Sequence, residues 1–207
     1  MSNIKNIIFD MGGVILNIDF KKTEEAFAKL GFTDFKNYMT QFHITPFFHD
    51  YEIGNIDNAA FIKGVQQIAG KPISDAEIVT AWNALLLDFP PERLSLLERL
   101  KDKYRLFLLS NTNALHYDAF QEMLFQQTGK RMEDFFEKTY YSQTAHLRKP
   151  DAAIYQLVLD ENKLVADETL FIDDTASNFS GAEQVGIHVF HLPAPMTIFD
   201  IPLFKDI

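Results

Sequence analysis

The 207-residue sequence contains no cysteine. That one absence excludes disulfides, thiolate metal sites and a cysteine nucleophile. Any nucleophile must be a hydroxyl, an amine or a carboxylate. Basic residues are also scarce, with 19 Lys and Arg against 29 Asp and Glu and a formal net charge of −10. Nucleic acid and anionic membranes call for a basic face, so neither is an expected partner. No apolar run approaches the ~20 residues that span a bilayer. The start, MSNIKNIIFD, lacks the basic opening, longer apolar stretch and small-residue cleavage site of a signal peptide. A cytoplasmic protein is expected. No internal repeat or low-complexity tract is present.

What remains is a chain able to fold on its own core. Apolar residues make up 47% of it and charged residues 23%, which separates it from disordered sequences. Its 20 phenylalanines call for a well-packed interior. The length suits one large domain or a core with one modest insert.

Four short apolar runs read as buried parallel strands: Asn6 to Phe9, Arg105 to Leu109, Thr169 to Ile172 and Ile187 to Phe190. Lys138 to Tyr141 is a weaker fifth. Helical patterns lie between the later runs, at Ala114 to Gln126, Ala152 to Glu161 and Ser177 to Val185. Alternation of this kind predicts an α/β fold with a doubly wound parallel sheet. The interval from Asp19 to Pro91 breaks it, with helical patterns and no convincing strand. Phe20 to Leu30 stops at Gly31, and Asp57 can cap Ala59 to Ala69. Ser74-Asp75-Ala76-Glu77 has the form of a capping box before Ile78 to Leu87. Pro90-Pro91 precedes an amphipathic stretch, Glu92 to Lys101. The expected organisation is a core of residues 1–18 and 92–207 interrupted by an all-helical insert, 19–91.

Ligands of open parallel sheets collect at the carboxyl ends of the strands. Those ends carry Asp10-Met11-Gly12-Gly13, Ser110-Asn111-Thr112 and Asp173-Asp174-Thr175. Arg148-Lys149-Pro150-Asp151 follows the weak strand. Taken singly, each has an ordinary explanation as a turn, a helix cap or a surface lysine. The adjacent pair Asp173-Asp174 is harder to dismiss, because like charges repel unless a cation or hydrogen bonds offset them. Hard oxygen ligands without His or Cys suit Mg²⁺, which would orient a phosphate against a nucleophile. The Ser110 hydroxyl and the Lys149 ammonium could hold phosphoryl oxygens, and Asp10 could attack phosphorus to form an aspartyl-phosphate.

The set resembles the haloacid dehalogenase superfamily, whose four motifs occur here in order across nearly the whole chain. IIFDMGGV supplies Asp10 as the family nucleophile. LLSNT supplies Ser110 as the phosphate-binding hydroxyl, and Asn111 and Gly12 are further phosphate-binding candidates. RKPDAAIY supplies Lys149, which stabilises phosphate and nucleophile. FIDDTASN supplies Asp173 and Asp174 as metal-binding acids. The resemblance implies a Rossmann-like core, a helical cap between motifs one and two, and Mg²⁺ held by Asp10, Asp173, Asp174 and the Gly12 carbonyl. YEIGNI resembles the cap segment with an E-x-G specificity loop, making Glu52 and Gly54 candidates for substrate choice. A small phosphorylated metabolite, such as a sugar phosphate, is the implied partner of a monomer or homodimer.

Two positions depart from the pattern. The phosphatase branch normally has a second Asp two residues beyond the nucleophile, to protonate the leaving group and activate water. Here that residue is Gly12, which can lend a carbonyl to metal but cannot shuttle a proton. Asp19 is a candidate substitute, against an ordinary role as helix cap. His146 replaces a glycine common before the motif-three lysine, and is expected to be an exposed loop residue. The other histidines, including His43, His49 and His116, show no metal-ligand spacing and read as structural or surface. Phe47, Phe48 and Trp82 read as insert core. Metal-free dehalogenase, phosphoglucomutase-like transferase and non-catalytic phosphate binder remain as alternatives to a Mg²⁺-dependent phosphatase.

Overall fold

The computed structural model describes residues 3–40, 43–205 and 207. Five strands form one parallel sheet: β1 (Asn6–Phe9), β4 (Arg105–Ser110), β5 (Lys138–Tyr141), β6 (Thr169–Asp173) and β7 (His188–His191). Their order is β5-β4-β1-β6-β7. The strand β1 is central, with Phe9 paired to Leu108 on one side and Ile172 on the other. All four of its residues are buried, as expected of a strand covered on both faces. Because side chains alternate across a strand, the sheet feeds two clusters. Ile7, Phe9, Leu106, Leu108, Leu170 and Ile172 belong to one, and Ile8, Phe107, Leu109 and Phe171 to the other. The helices α5 (Pro91–Leu100) and α6 (Ala114–Thr128) cover the first face, and α8 (Ala152–Asn162) and α9 (Phe179–Gln184) the second. A four-residue helix, α7 (Ser142–Ala145), continues directly from β5. The apolar tail folds back on the core through Leu192, Ile198, Ile201 and Phe204.

Between β1 and α5 lie α1 (Phe20–Lys29), α2 (Pro46–Glu52), α3 (Asn58–Ala69) and α4 (Asp75–Asn83). Each begins where local chemistry favours it. Asp19 accepts a hydrogen bond from Lys21 N, Asp57 from Ala60 N, and Ser74 with Glu77 closes a full capping box. Asp19 is therefore a helix cap. Pro46 occupies the first turn of α2, where its missing N–H costs nothing. That helix was not legible as one in the sequence. A second difference is a pair of two-residue strands, β2 (Met39–Thr40) and β3 (His43–Ile44), joined antiparallel. Two residues are too few to show any period.

The helix α4 stops at Asn83, short of the expected Leu87, because the backbone beyond it pairs elsewhere. Asp19 N donates to Leu85 O, Leu87 N to Asn17 O, and Asn17 N to Asp88 O. The chain entering the insert is thus tied to the chain leaving it. The insert has its own cluster, centred on Phe27, Phe48, Tyr51, Phe61 and Trp82, with Phe47 packed against it. The Phe61 ring stacks on Tyr51 at 3.9 Å and lies 4.7 Å from Trp82. Phe61→Ala should lower the free energy of unfolding by about 3–5 kcal/mol, read from urea titration; a loss below about 1 kcal/mol would show that this cluster does not hold the insert.

Candidate active site

The loops after β1, β4 and β6 meet at one edge of the sheet. Asp10 follows β1 directly, and its N–H donates to Ile172 O at 2.9 Å. Lys149 lies between the carboxylates. Its ammonium donates to Asp10 Oδ1 at 2.7 Å and to Asp173 Oδ2 at 2.6 Å, while its side chain is 1% exposed. Asp173 is fully buried and accepts from Thr175 N and from Asn178 Nδ2. Asp174 accepts from the Thr175 hydroxyl at 3.0 Å. Gly13 allows that carboxylate to approach, for a Cβ there would fall 2.5 Å from Asp174 Oδ2, at a φ of +73° that suits glycine. The double glycine of IIFDMGGV was the available signal for this close approach.

Oxygens of Asp10, Asp173 and Asp174 all lie within 4.8 Å of one another. Burial pushes the Asp10 carboxyl up to about 7; Lys149 opposes that shift, and the charges of Asp173 and Asp174 add to it. Burial and Asp173 also raise Asp174. Burial alone would lower the Lys149 pKa, but Asp10 and Asp173 reverse this and hold its ammonium protonated. Three carboxylates facing one ammonium carry two uncompensated negative charges when all are ionised. A divalent cation with hard oxygen preference fits that donor set.

Above the cluster is a cavity of about 330 Å³. Asp10, Gly12, Ser110, Asn111, Lys149 and Asp174 line its floor, and Leu16, Ile18, Leu85 and Leu86 bring apolar surface to it. Asp19 is not among the lining residues. Asn111 lines the cavity, and its amide is bound to the Lys149 backbone in both directions, accepting from Lys149 N at 2.9 Å and donating to Lys149 O at 3.0 Å. It therefore positions the lysine. Ile18 fills the space beside Gly12, with its Cδ1 2.8 Å from where a Cβ would stand.

Glu52 reaches the same cavity from the end of α2 and pairs with Arg148 at 2.6 Å. Burial raises its pKa, with Arg148 pulling the other way. Arg148 stands beside the motif-three lysine, yet no local pattern in the sequence marks it. Gly54 does not line the cavity but presses on Gln143. His146 is exposed as expected, takes the positive φ of 54° expected of the glycine it replaces, and donates from Nδ1 to Ile53 O at 2.8 Å.

His116 is the residue whose setting the sequence hid most. It is buried, lines the cavity and stacks on Trp82 at 4.9 Å. Its Nδ1 accepts from Asn113 Nδ2 and its Nε2–H donates to Trp82 O. Trp82 Nε1 in turn donates to Asn113 Oδ1. His49 is half-exposed beside Asp50; the side chain of His43 lies outside the described residues.

The sequence matches the haloacid dehalogenase-like hydrolase family over residues 4–186, and the chain belongs to that family. It is 32% identical over 187 residues to D-ribitol-5-phosphate phosphatase of Bacteroides thetaiotaomicron, covering 90% of this chain and 91% of that one. It is 26% identical to the sesquiterpene phosphatase astK of Aspergillus oryzae, covering 92% and 91%. Among solved structures, a haloacid dehalogenase family enzyme of B. thetaiotaomicron, crystallised with magnesium and inorganic phosphate, superposes with a TM-score of 0.85. It is 36% identical, over 93% of this chain and 96% of the other. No described helix is long and apolar enough to cross a membrane.

Burial pushes the His116 pKa down to about 4, against a rise from its bond to Trp82 O. The unfolded chain, with an ordinary value near 6.5, takes up that proton first. Stability should therefore fall as pH drops from about 6.5 towards 4, by up to about 3 kcal/mol from this residue. Urea titrations of wild type and His116→Gln across that range should show a shallower fall in the variant; equal slopes would mean that His116 is not buried neutral.

Proposed function

We propose that this chain is a Mg²⁺-dependent phosphatase of a small phosphorylated metabolite in the sugar-phosphate class. The buried Asp10–Lys149–Asp173 cluster at the floor of a cavity carries this reading, and the phosphatase relatives support it. Residues 19–91 act as the cap over that cavity, and residues 1–18 and 92–207 as the catalytic core. Mg²⁺ would be held by Asp10, Asp173, Asp174 and the Gly12 carbonyl, where it would neutralise charge and help orient phosphate.

Asp10 attacks phosphorus through a carboxylate oxygen, and the bond from phosphorus to the ester oxygen breaks. Lys149 holds its proton and supplies positive charge to the phosphoryl oxygens, with the Ser110 hydroxyl and nearby backbone N–H groups. Water then attacks phosphorus as the bond from phosphorus to the Asp10 oxygen breaks, releasing inorganic phosphate and the free carboxylate; the proton that this water gives up to solvent balances the one that the departed alkoxide takes from it. Asn111 fixes Lys149, while the Glu52–Arg148 pair faces the cavity as a contact for substrate. Gly54 affects substrate choice through the turn that carries Glu52. The paired acids Asp173 and Asp174 set this reading apart from a metal-free dehalogenase.

Hydrolysis of a phosphometabolite panel that includes ribitol 5-phosphate tests the assignment. Activity should require Mg²⁺ and fall at least about a thousandfold in Asp10→Asn. Equal activity in the two proteins would sink the aspartyl-phosphate mechanism. Chloride release from 2-haloacids in EDTA would move the assignment to a dehalogenase, and phosphate binding without turnover to a binding protein.

Gly12 leaves the leaving group without the usual proton donor, and general acid help is worth about 10²–10⁴-fold. The backbone at Gly12 does not require glycine, and the obstacle to a side chain is the end of the Ile18 side chain. Gly12→Asp should therefore raise the rate on alkyl phosphates at least about tenfold more than on p-nitrophenyl phosphate. An unchanged ratio, in the single variant and with Ile18→Ala added for space, would show that another group already delivers the proton.

A further inference from the structure

Ser142 opens α7 with its side chain fully buried. Its oxygen sits among three backbone groups from two distant parts of the chain. Thr112 N donates to it at 2.9 Å. Two carbonyls are within reach as acceptors, Glu52 O at 2.7 Å and Thr112 O at 2.9 Å. A serine hydroxyl has one proton, so it serves one of these carbonyls at a time. The shorter distance assigns that proton to Glu52.

Thr112 belongs to the loop that carries Ser110 and Asn111. Glu52 ends α2 in the insert. Around Ser142, the segment that follows it grips the turn beyond Glu52. His146 donates to Ile53 O, Arg148 pairs with the Glu52 side chain, and Gly54 packs so closely that a Cβ would lie 2.1 Å from Gln143 O. Of these contacts, only the Ser142 hydroxyl also holds the loop after β4.

We propose that Ser142 is a positioning residue, a swing donor that holds turn 52–54 when it is docked and keeps loop 110–113 anchored when it withdraws. With the turn docked, the proton goes to Glu52 O. With the turn withdrawn, it rotates to Thr112 O. A buried hydroxyl left without an acceptor is costly, and the second carbonyl removes that cost from undocking. The loop thus keeps one anchor while the insert moves. This goes beyond the phosphatase reading and does not depend on it, since the observable is backbone protection.

Hydrogen exchange of the full chain tests it, read at the Thr112 amide, at residues 53–55 and at the β1 amides. In Ser142→Ala, both Thr112 and the turn should exchange about fivefold to tenfold faster, with β1 unchanged. In Gly54→Ala, the new Cβ at a φ of +73° forces the turn off Gln143. Exchange should then rise at 53–55 while Thr112 stays within about twofold of wild type, because the hydroxyl has swung to its own loop. Loss of Thr112 protection in Gly54→Ala would overturn the swing. Deprotection confined to Thr112 in Ser142→Ala would overturn the hold on the turn. If Ser142→Ala also loosens β1, Ser142→Thr decides: the retained hydroxyl should restore both ends, and restoration of one alone overturns the proposal.

Discussion

The site depends on one buried cation. Lys149 is 1% exposed and touches both Asp10 and Asp173 at 2.6–2.7 Å. An ammonium in that setting is tolerable only with its partners in place, because the desolvation of each charge must be matched by close contacts. The partners come from the ends of β1 and β6, which are adjacent in the sheet, and the Lys149 backbone is held by Asn111 after β4. Strand order therefore decides the chemistry. A different neighbour for β1 would leave a carboxylate or an ammonium buried alone, at a cost comparable to the stability of a whole domain.

The same logic extends to the insert. Its entry and exit segments are tied by backbone bonds between 17–19 and 85–88. A second tie runs through Trp82, Asn113 and His116, and a third through the turn at 52–54. The second and third ties end on residues just after β4 or just after β5, next to the groups that face the cavity. Insert and floor are consequently linked by hydrogen bonds and not only by packing. Hydrogen bonds have direction, so a displacement of the insert is felt at Asn113 and at the Ser142 hydroxyl before the apolar clusters are disturbed.

What the sequence showed follows from range. Central strands in a parallel sheet are apolar throughout, so β1, β4 and β6 stood out as runs, the edge strand β7 showed through the apolar run from Ile187 to Phe190, and helix starts were marked by Asp57 and by Ser74 with Glu77. The acids at strand ends were legible through order and spacing. The pairing of Glu52 with Arg148, the bonds from Asn111 to Lys149 and the burial of His116 were not. Each joins residues remote in sequence, or depends on which face of a loop a side chain takes, and no local period records either. The helix α2 escaped because its seven residues are too few to show a helical period, although Phe47, Phe48 and Tyr51 were legible in part as the insert's core. Ile18 escaped for a different reason. Its approach to Gly12 is set by the loop from Met11 to Leu16, whose N–H groups converge on Met11 O.

That last contact shapes the chemistry. Where a phosphatase of this family usually has an acid, this cavity has a methyl group and a wall made by Leu16, Ile18, Leu85 and Leu86. An alkoxide leaving towards such a wall gains no hydration and no charge partner there, so its departure is disfavoured unless a proton arrives from elsewhere. The rest of the lining is rich in charge, with Lys149, Asp174 and the Glu52–Arg148 pair. Catalysis on the proposed reading thus shifts from proton transfer towards electrostatic stabilisation of the phosphoryl group itself. Rate should then follow leaving-group basicity more steeply than in relatives that retain the acid, because less of the developing negative charge is neutralised as the bond breaks.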